Sequence, residues 1–143
     1  MPKPILYIDD QPHYARLYVE ALEEADYEVI FCERAELGLA YLRAHASSLG
    51  VVILDYMMPT PKGVSDNETL DGKATGRWLL RQARELLEAC RLPVIVLTNR
   101  SIPVVTTEIE ELTLMEIGTL IHVRHKTQTS TRDLVAHVNH LLR

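Results

Sequence analysis

The chain has 143 residues, 47% of them apolar and 24% charged, with a formal net charge of −5. That size and balance suit one globular domain with a real core rather than a disordered tail, and an acidic chain with no Lys/Arg tract offers nucleic acid or an anionic membrane no electrostatic foothold. Cys32 and Cys90 lack metal-binding spacing, and the opening MPKPILYIDD has neither a signal-peptide pattern nor a spanning apolar stretch, so a cytoplasmic protein with ordinary thiols is the expectation.

In chain order, PILYI (4–8) reads as a first strand and ends in two adjacent carboxylates, Asp9 and Asp10. Pro12 suits the first turn of a helix over 12–25. EVIFC (28–32) reads as a second strand, a helical pattern covers 35–46, and VVILD (51–55) reads as a third strand ending in Asp55. The stretch TPKGVSDNETLDGKATG (60–76) is polar and rich in turn formers, and a connection of that length inside a compact domain is either functional or disordered. A helix over 76–91 carries Leu79, Ala83, Leu86, Leu87 and Cys90 on one stripe. PVIVLT (93–98) reads as a fourth strand ending in Thr98, followed by a helix over 105–117. LIHV (120–123) reads as a fifth strand, Lys126 follows it, and Ser130 or Thr131 suits the cap of a last helix over 131–142. Most of the strands are too continuously apolar for a sheet with one wet face, so they should be buried on both sides.

Five strand–helix units in a row imply a parallel α/β sheet with helices on both faces. Parallel strands bring their C-terminal ends to one edge, where open α/β sheets bind ligands. Asp9, Asp10, Asp55, Thr98 and Lys126, drawn from four distant segments, should therefore meet there. Three carboxylates so close must either raise their pKa values or bind a cation, and oxygen-only ligands favour Mg²⁺. A metal, an ammonium and a hydroxyl beside a carboxylate can stabilise a transferring phosphoryl group, and the carboxylate itself can be the nucleophile.

The motifs IDD (8–10), LDYMMP (54–59), VLTNR (96–100) and HK (125–126), in this order at these strand ends, resemble the receiver domain of bacterial two-component response regulators. The resemblance covers essentially the whole chain and implies a single receiver domain over 1–143. It implies a flavodoxin-like doubly wound sheet of order 2-1-3-4-5. It implies Asp55 as phosphoacceptor, Asp9 and Asp10 as the acid pair holding Mg²⁺ together with Asp55, and Met57 as a backbone-carbonyl ligand. Thr98 would be the switch hydroxyl and Lys126 the partner of a phosphoryl oxygen. A sensor histidine kinase or a phosphotransfer protein would be the donor, and output would be binding to an unknown downstream protein or to a second copy. The only chemistry implied is Mg²⁺-dependent phosphorylation and dephosphorylation of the aspartate itself, without enzymatic turnover of another substrate. With no residues after the fifth helix for an output domain, the expectation is a stand-alone receiver.

The chain also departs from the family. Thr127 follows the lysine where proline is usual, which leaves the lysine's loop to be positioned some other way, and Val123 stands where a switch aromatic is usual. Asn99 replaces a smaller residue, and the segments 60–76 and 98–126 are long. These departures keep a second reading in view, a degenerate receiver that only binds proteins. A third, a haloacid-dehalogenase-like phosphatase, would need an acid two residues after Asp9, where Gln11 stands. An aspartate at a strand end is by itself more often a cap or turn former, and Trp78 reads as packing. The pairs His122/His125 and His137/His140 are insufficient for a zinc site.

Overall fold

The computed structural model describes residues 2–113 and 120–143. Its strands are β1 (Ile5–Ile8), β2 (Val29–Cys32), β3 (Val51–Asp55), β4 (Val94–Thr98) and β5 (Ile121–His125). The helices are α1 (Pro12–Glu24), α2 (Ala35–His45), α3 (Asp66–Thr69), α4 (Thr75–Ala89), α5 (Ile102–Thr113) and α6 (Thr131–Leu142). All strand pairs are parallel and the order is β2-β1-β3-β4-β5.

Alternation along the strands splits the core into two layers. Leu6, Ile8, Val52, Leu54, Val94 and Val96 pack against Leu39 and Leu42 of α2, Leu79, Leu80, Ala83 and Leu87 of α4, and Val105 and Ile109 of α5. Ile5, Tyr7, Val51, Ile53, Ile95 and Leu97 face Ala15 and Leu22 of α1 and Leu134 and Val138 of α6. Burial on both faces holds for β1, β3 and β4, whereas every residue of β2 and four of the five in β5 are only half-buried. Those two strands form the sheet edges and lack a neighbour on one side, which is why β5 tolerates its polar continuation through Arg124 and His125.

Two helix starts follow local rules. Ser130 Oγ accepts from the Asp133 N–H at 3.0 Å while Asp133 Oδ2 accepts from the Ser130 N–H at 3.0 Å, a reciprocal cap for α6. Helix α5 begins at Ile102, three residues before the sequence expectation, because Pro103 is compatible with a first turn whose Ser101 carbonyl accepts from the Val105 N–H. The expected extension of this helix over 114–117 lies outside the described residues.

The long connection after β3 is a hydrogen-bonded excursion closed at its base. The Met58 N–H donates to the Gly72 carbonyl at 3.1 Å, and Thr75 Oγ1 donates to the Met58 carbonyl at 2.6 Å. Between these arms Ser65 starts α3, and Thr60 and Thr69 share a hydroxyl hydrogen bond of 2.6 Å. The return runs through three successive left-handed residues, Leu70, Asp71 and Gly72 (φ 52°, 56° and 87°). Left-handed backbone costs about 1–2 kcal/mol at each non-glycine residue, which the fully buried Thr69 and Thr75 and the paired arms offset.

Gly76 lets α4 touch the strand end. Its N–H donates to the Tyr56 carbonyl at 2.8 Å, and a Cβ there would sit 2.9 Å from the Tyr56 Cα. Since backbone cannot swing aside, Gly76→Ala should lower stability by about 1–3 kcal/mol in chemical denaturation, despite the better helix propensity of alanine. Unchanged stability would mean that α4 does not rest on this contact.

Candidate functional site

Because the five strands run in one direction, their ends deliver the acidic residues to one edge. Asp9 and Asp10 follow β1, and Asp55 closes β3. One carboxylate oxygen from each lies within 4.8 Å of the others. Lys126, at the start of a single 3-10 turn after β5, places its Nζ 3.0 Å from Asp55 Oδ1 and 3.9 Å from Asp9 Oδ2. The Gln11 N–H donates to Asp9 Oδ1 at 2.9 Å, fixing that carboxylate. A cavity of about 210 Å³ opens here, lined by Asp10, Gln11, Asp55, Met57, Asn99 and Lys126. Thr98, which closes β4, is fully buried and does not line this cavity; its Oγ1 accepts from the Arg100 N–H at 2.9 Å.

The electrostatics are unbalanced. Asp9 and Asp55 are almost wholly buried, and three carboxylates face one ammonium. Burial, reinforced by the neighbouring Asp9, pushes Asp55 up to about 7 against the opposing pull of Lys126. Burial also raises Asp9, opposed by its hydrogen bond from Gln11 and by Lys126. The donor set is all hard oxygen and carries two negative charges beyond what Lys126 neutralises, which fits a divalent cation of the Mg²⁺ type.

The turn carrying Lys126 is braced by contacts that the sequence motifs do not signal. His125 Nε2 lies 3.1 Å from the Asn99 carbonyl, while its Nδ1 accepts from the Thr127 N–H at 3.2 Å and lies 2.8 Å from Thr127 Oγ1. A carbonyl can only accept and an amide N–H can only donate, so these partners call for a hydrogen on Nε2 and a lone pair on Nδ1. Tyr18 from α1 adds a hydrogen bond to the Thr129 carbonyl at 2.6 Å, and Thr129 Oγ1 donates to the His125 carbonyl at 2.9 Å. His125 and Thr127 thus tie the lysine's turn to the end of β4, an arrangement no strand or helix periodicity signals.

The excursion after β3 lies beside the mouth of the site. Asp71, Gly72 and Lys73 line a shallow cavity of about 230 Å³ with Asp10, Met57, Met58 and Pro59. No residue of the excursion lines the cavity that holds Asp55 and Lys126.

No known family profile matches the chain, and a search of curated proteins finds no match. Among solved structures, 227 chains are similar. The chemotaxis protein CheY4 of Vibrio cholerae is 20% identical with a TM-score of 0.72, covering 99% of this chain and 100% of its own. A CheY-like receiver domain from Methanospirillum hungatei is 19% identical with a TM-score of 0.71, over 98% and 93% of the two chains. The receiver domain of the Francisella response regulator 1452 is 20% identical with a TM-score of 0.69, over 97% and 95%. This chain has the fold of a response-regulator receiver domain, a CheY-like variant of the flavodoxin-like architecture. Among the described residues no helix is long and apolar enough to cross a membrane.

Two measurements probe the site without assuming its chemistry. A carboxyl whose pKa is raised by folding stabilises the fold fully below its unfolded value near 4, and that stability is lost as pH rises through about 7. In chelator at pH 8, Asp55→Asn should therefore be more stable than wild type by about 2 kcal/mol, roughly 6 °C in Tm, with the advantage shrinking toward pH 5. An Asn variant that melts lower at pH 8 would contradict the frustrated-charge picture. Separately, His125→Ala should speed amide exchange at Thr127 and Gln128 by about tenfold while leaving the helices protected. Unaltered exchange there would remove His125 as the brace of the turn.

Proposed function

We propose that the protein is a phosphoacceptor switch in which Asp55 accepts a phosphoryl group from a phosphohistidine of a sensor histidine kinase or phosphotransfer protein. The observation that carries this reading is the buried Asp55 carboxylate gripped by Lys126 at 3.0 Å, with Asp9 and Asp10 beside it at the C-terminal edge of a receiver-type sheet. The whole chain then acts as one receiver unit in the cytoplasm and signals by binding another protein.

The chain's own groups have distinct parts in the transfer. Lys126 holds Asp55 Oδ1, which orients the carboxylate and leaves its second oxygen to attack phosphorus. The new O–P bond forms as the N–P bond to the donor imidazole breaks, and the imidazole leaves with the electron pair. Mg²⁺, held by Asp9, Asp10 and Asp55 with the Met57 carbonyl, would neutralise charge on the group in transfer. Lys126 pairs with a phosphoryl oxygen once the carboxylate has reacted, and the Thr98 hydroxyl donates to another. Asn99 on the cavity wall limits how water approaches the product, so hydrolysis is governed by a side chain as well as by the acids. The chemistry is confined to Asp55 and turns over no separate substrate.

Intact-mass measurement after incubation with Mg²⁺ and a small acyl phosphate tests the reading. Wild type should gain one phosphoryl group and Asp55→Asn none. Label on Asp9 instead would favour a phosphatase-like nucleophile on β1, and no label with either a small donor or a phosphorylated histidine domain would leave a protein-binding module.

A further inference from the structure

The Thr98 hydroxyl is joined through one residue, Arg100, to two surface segments. Arg100 sits two residues beyond Thr98, and its backbone N–H is the donor to Thr98 Oγ1. Its guanidinium forks onto both oxygens of Glu108 in α5 at 2.8 Å each, and Nη1 also donates to the Lys73 carbonyl of the excursion at 3.2 Å. The same group stands over the Tyr56 ring, 5.9 Å from its centroid, and the Tyr56 hydroxyl donates to Glu108 Oε1 at 2.8 Å. Tyr56 is the residue directly after Asp55, and its carbonyl receives the Gly76 N–H. A closed ring of contacts thus runs from Thr98 through Arg100 and Glu108 to the residue after Asp55, with a branch into the excursion.

An ion pair that only pinned α5 to the sheet could originate anywhere on β4 or β3. This one originates on the short turn that carries both Thr98 and Asn99. The Arg100–Glu108 pair is partly buried, with side chains 22% and 15% exposed, so its bidentate geometry is held more firmly than a solvated pair would be. Side-chain hydrogen bonding from Arg100 and Tyr56 holds the Glu108 carboxyl low despite its burial. A movement of the 98–100 turn toward Asp55 must then either carry Glu108 and Lys73 with it or break these contacts. On the reading of Asp55 as phosphoacceptor, the acceptor oxygens gained there draw on the Thr98 hydroxyl, which lies on that turn.

We infer that Arg100 is a positioning residue that couples occupancy of Asp55 to two surfaces at once, the excursion around Lys73 and the first half of α5 around Glu108. The paired displacement of these two segments is the feature a downstream protein reads. The inference rests on the proposed function. It assigns the route by which that site acts at a distance.

The test uses the full chain with Mg²⁺ and beryllofluoride, a stable phosphoryl mimic, with site occupancy read from the ¹⁹F resonance of the bound species and amide exchange read by mass spectrometry. In wild type, loading should change exchange at 66–74 and 102–111 by about threefold or more, together with a change at 97–101. Arg100→Lys keeps the charge and loses the fork. At equal occupancy it should respond at 97–101 and lose the response at 66–74 and 102–111. Glu108→Gln removes the carboxylate partner, should behave the same way, and serves if the lysine variant folds poorly. Responses of wild-type size in both variants, or a wild-type response confined to 97–101, would overturn the coupling while leaving the phosphoacceptor reading intact. A wild type with no bound ¹⁹F species would overturn that reading, and the coupling with it.

Discussion

Everything at the working end of this molecule depends on holding like charges together out of water. Three carboxylates cluster around one ammonium, and desolvation drives Asp55 toward neutrality. Such a cluster survives only because strong, unrelated contacts position its members. The central strands β1, β3 and β4 are fully buried, so the ends that present the acids cannot drift apart without opening the core. The sheet thus supplies the restraint that the site itself opposes, and like charges held together in this way are relieved by a cation.

Strand identity, order along the chain and the convergence of Asp9, Asp10, Asp55 and Lys126 were legible because periodicity and strand polarity are local signals with global consequences. The edge character of β2 and β5 was less so, since short apolar runs look alike whether or not a neighbour covers them. Pro103 could have moved the expected start of α5 to its true place, being a first-turn signal within the sequence itself.

The braces around the site were not legible. His125, Tyr18, Arg100 and Glu108 each reach at least one partner between 8 and 111 residues away, and no spacing rule anticipates such pairs. Thr127 marked a missing proline, and the fold answers with an imidazole that reads a carbonyl on one side and an amide on the other. Similarly, the composition of 60–76 indicated turns without indicating that Thr75 and Met58 would close them into a loop with its own buried threonines.

That closed base has a consequence for engineering. Because the excursion leaves and rejoins the domain through contacts among Met58, Gly72 and Thr75, it hangs from a hydrogen-bonded collar, with Val64 in its outer portion packed against the core as a further anchor. Sequences inserted between Lys62 and Gly63, both exposed and ahead of Val64, would inherit a fixed point of attachment a few residues from Asp55 without having to satisfy the strand register. The same collar makes the domain a natural acceptor for grafted recognition peptides, with their placement set by the scaffold rather than by the graft.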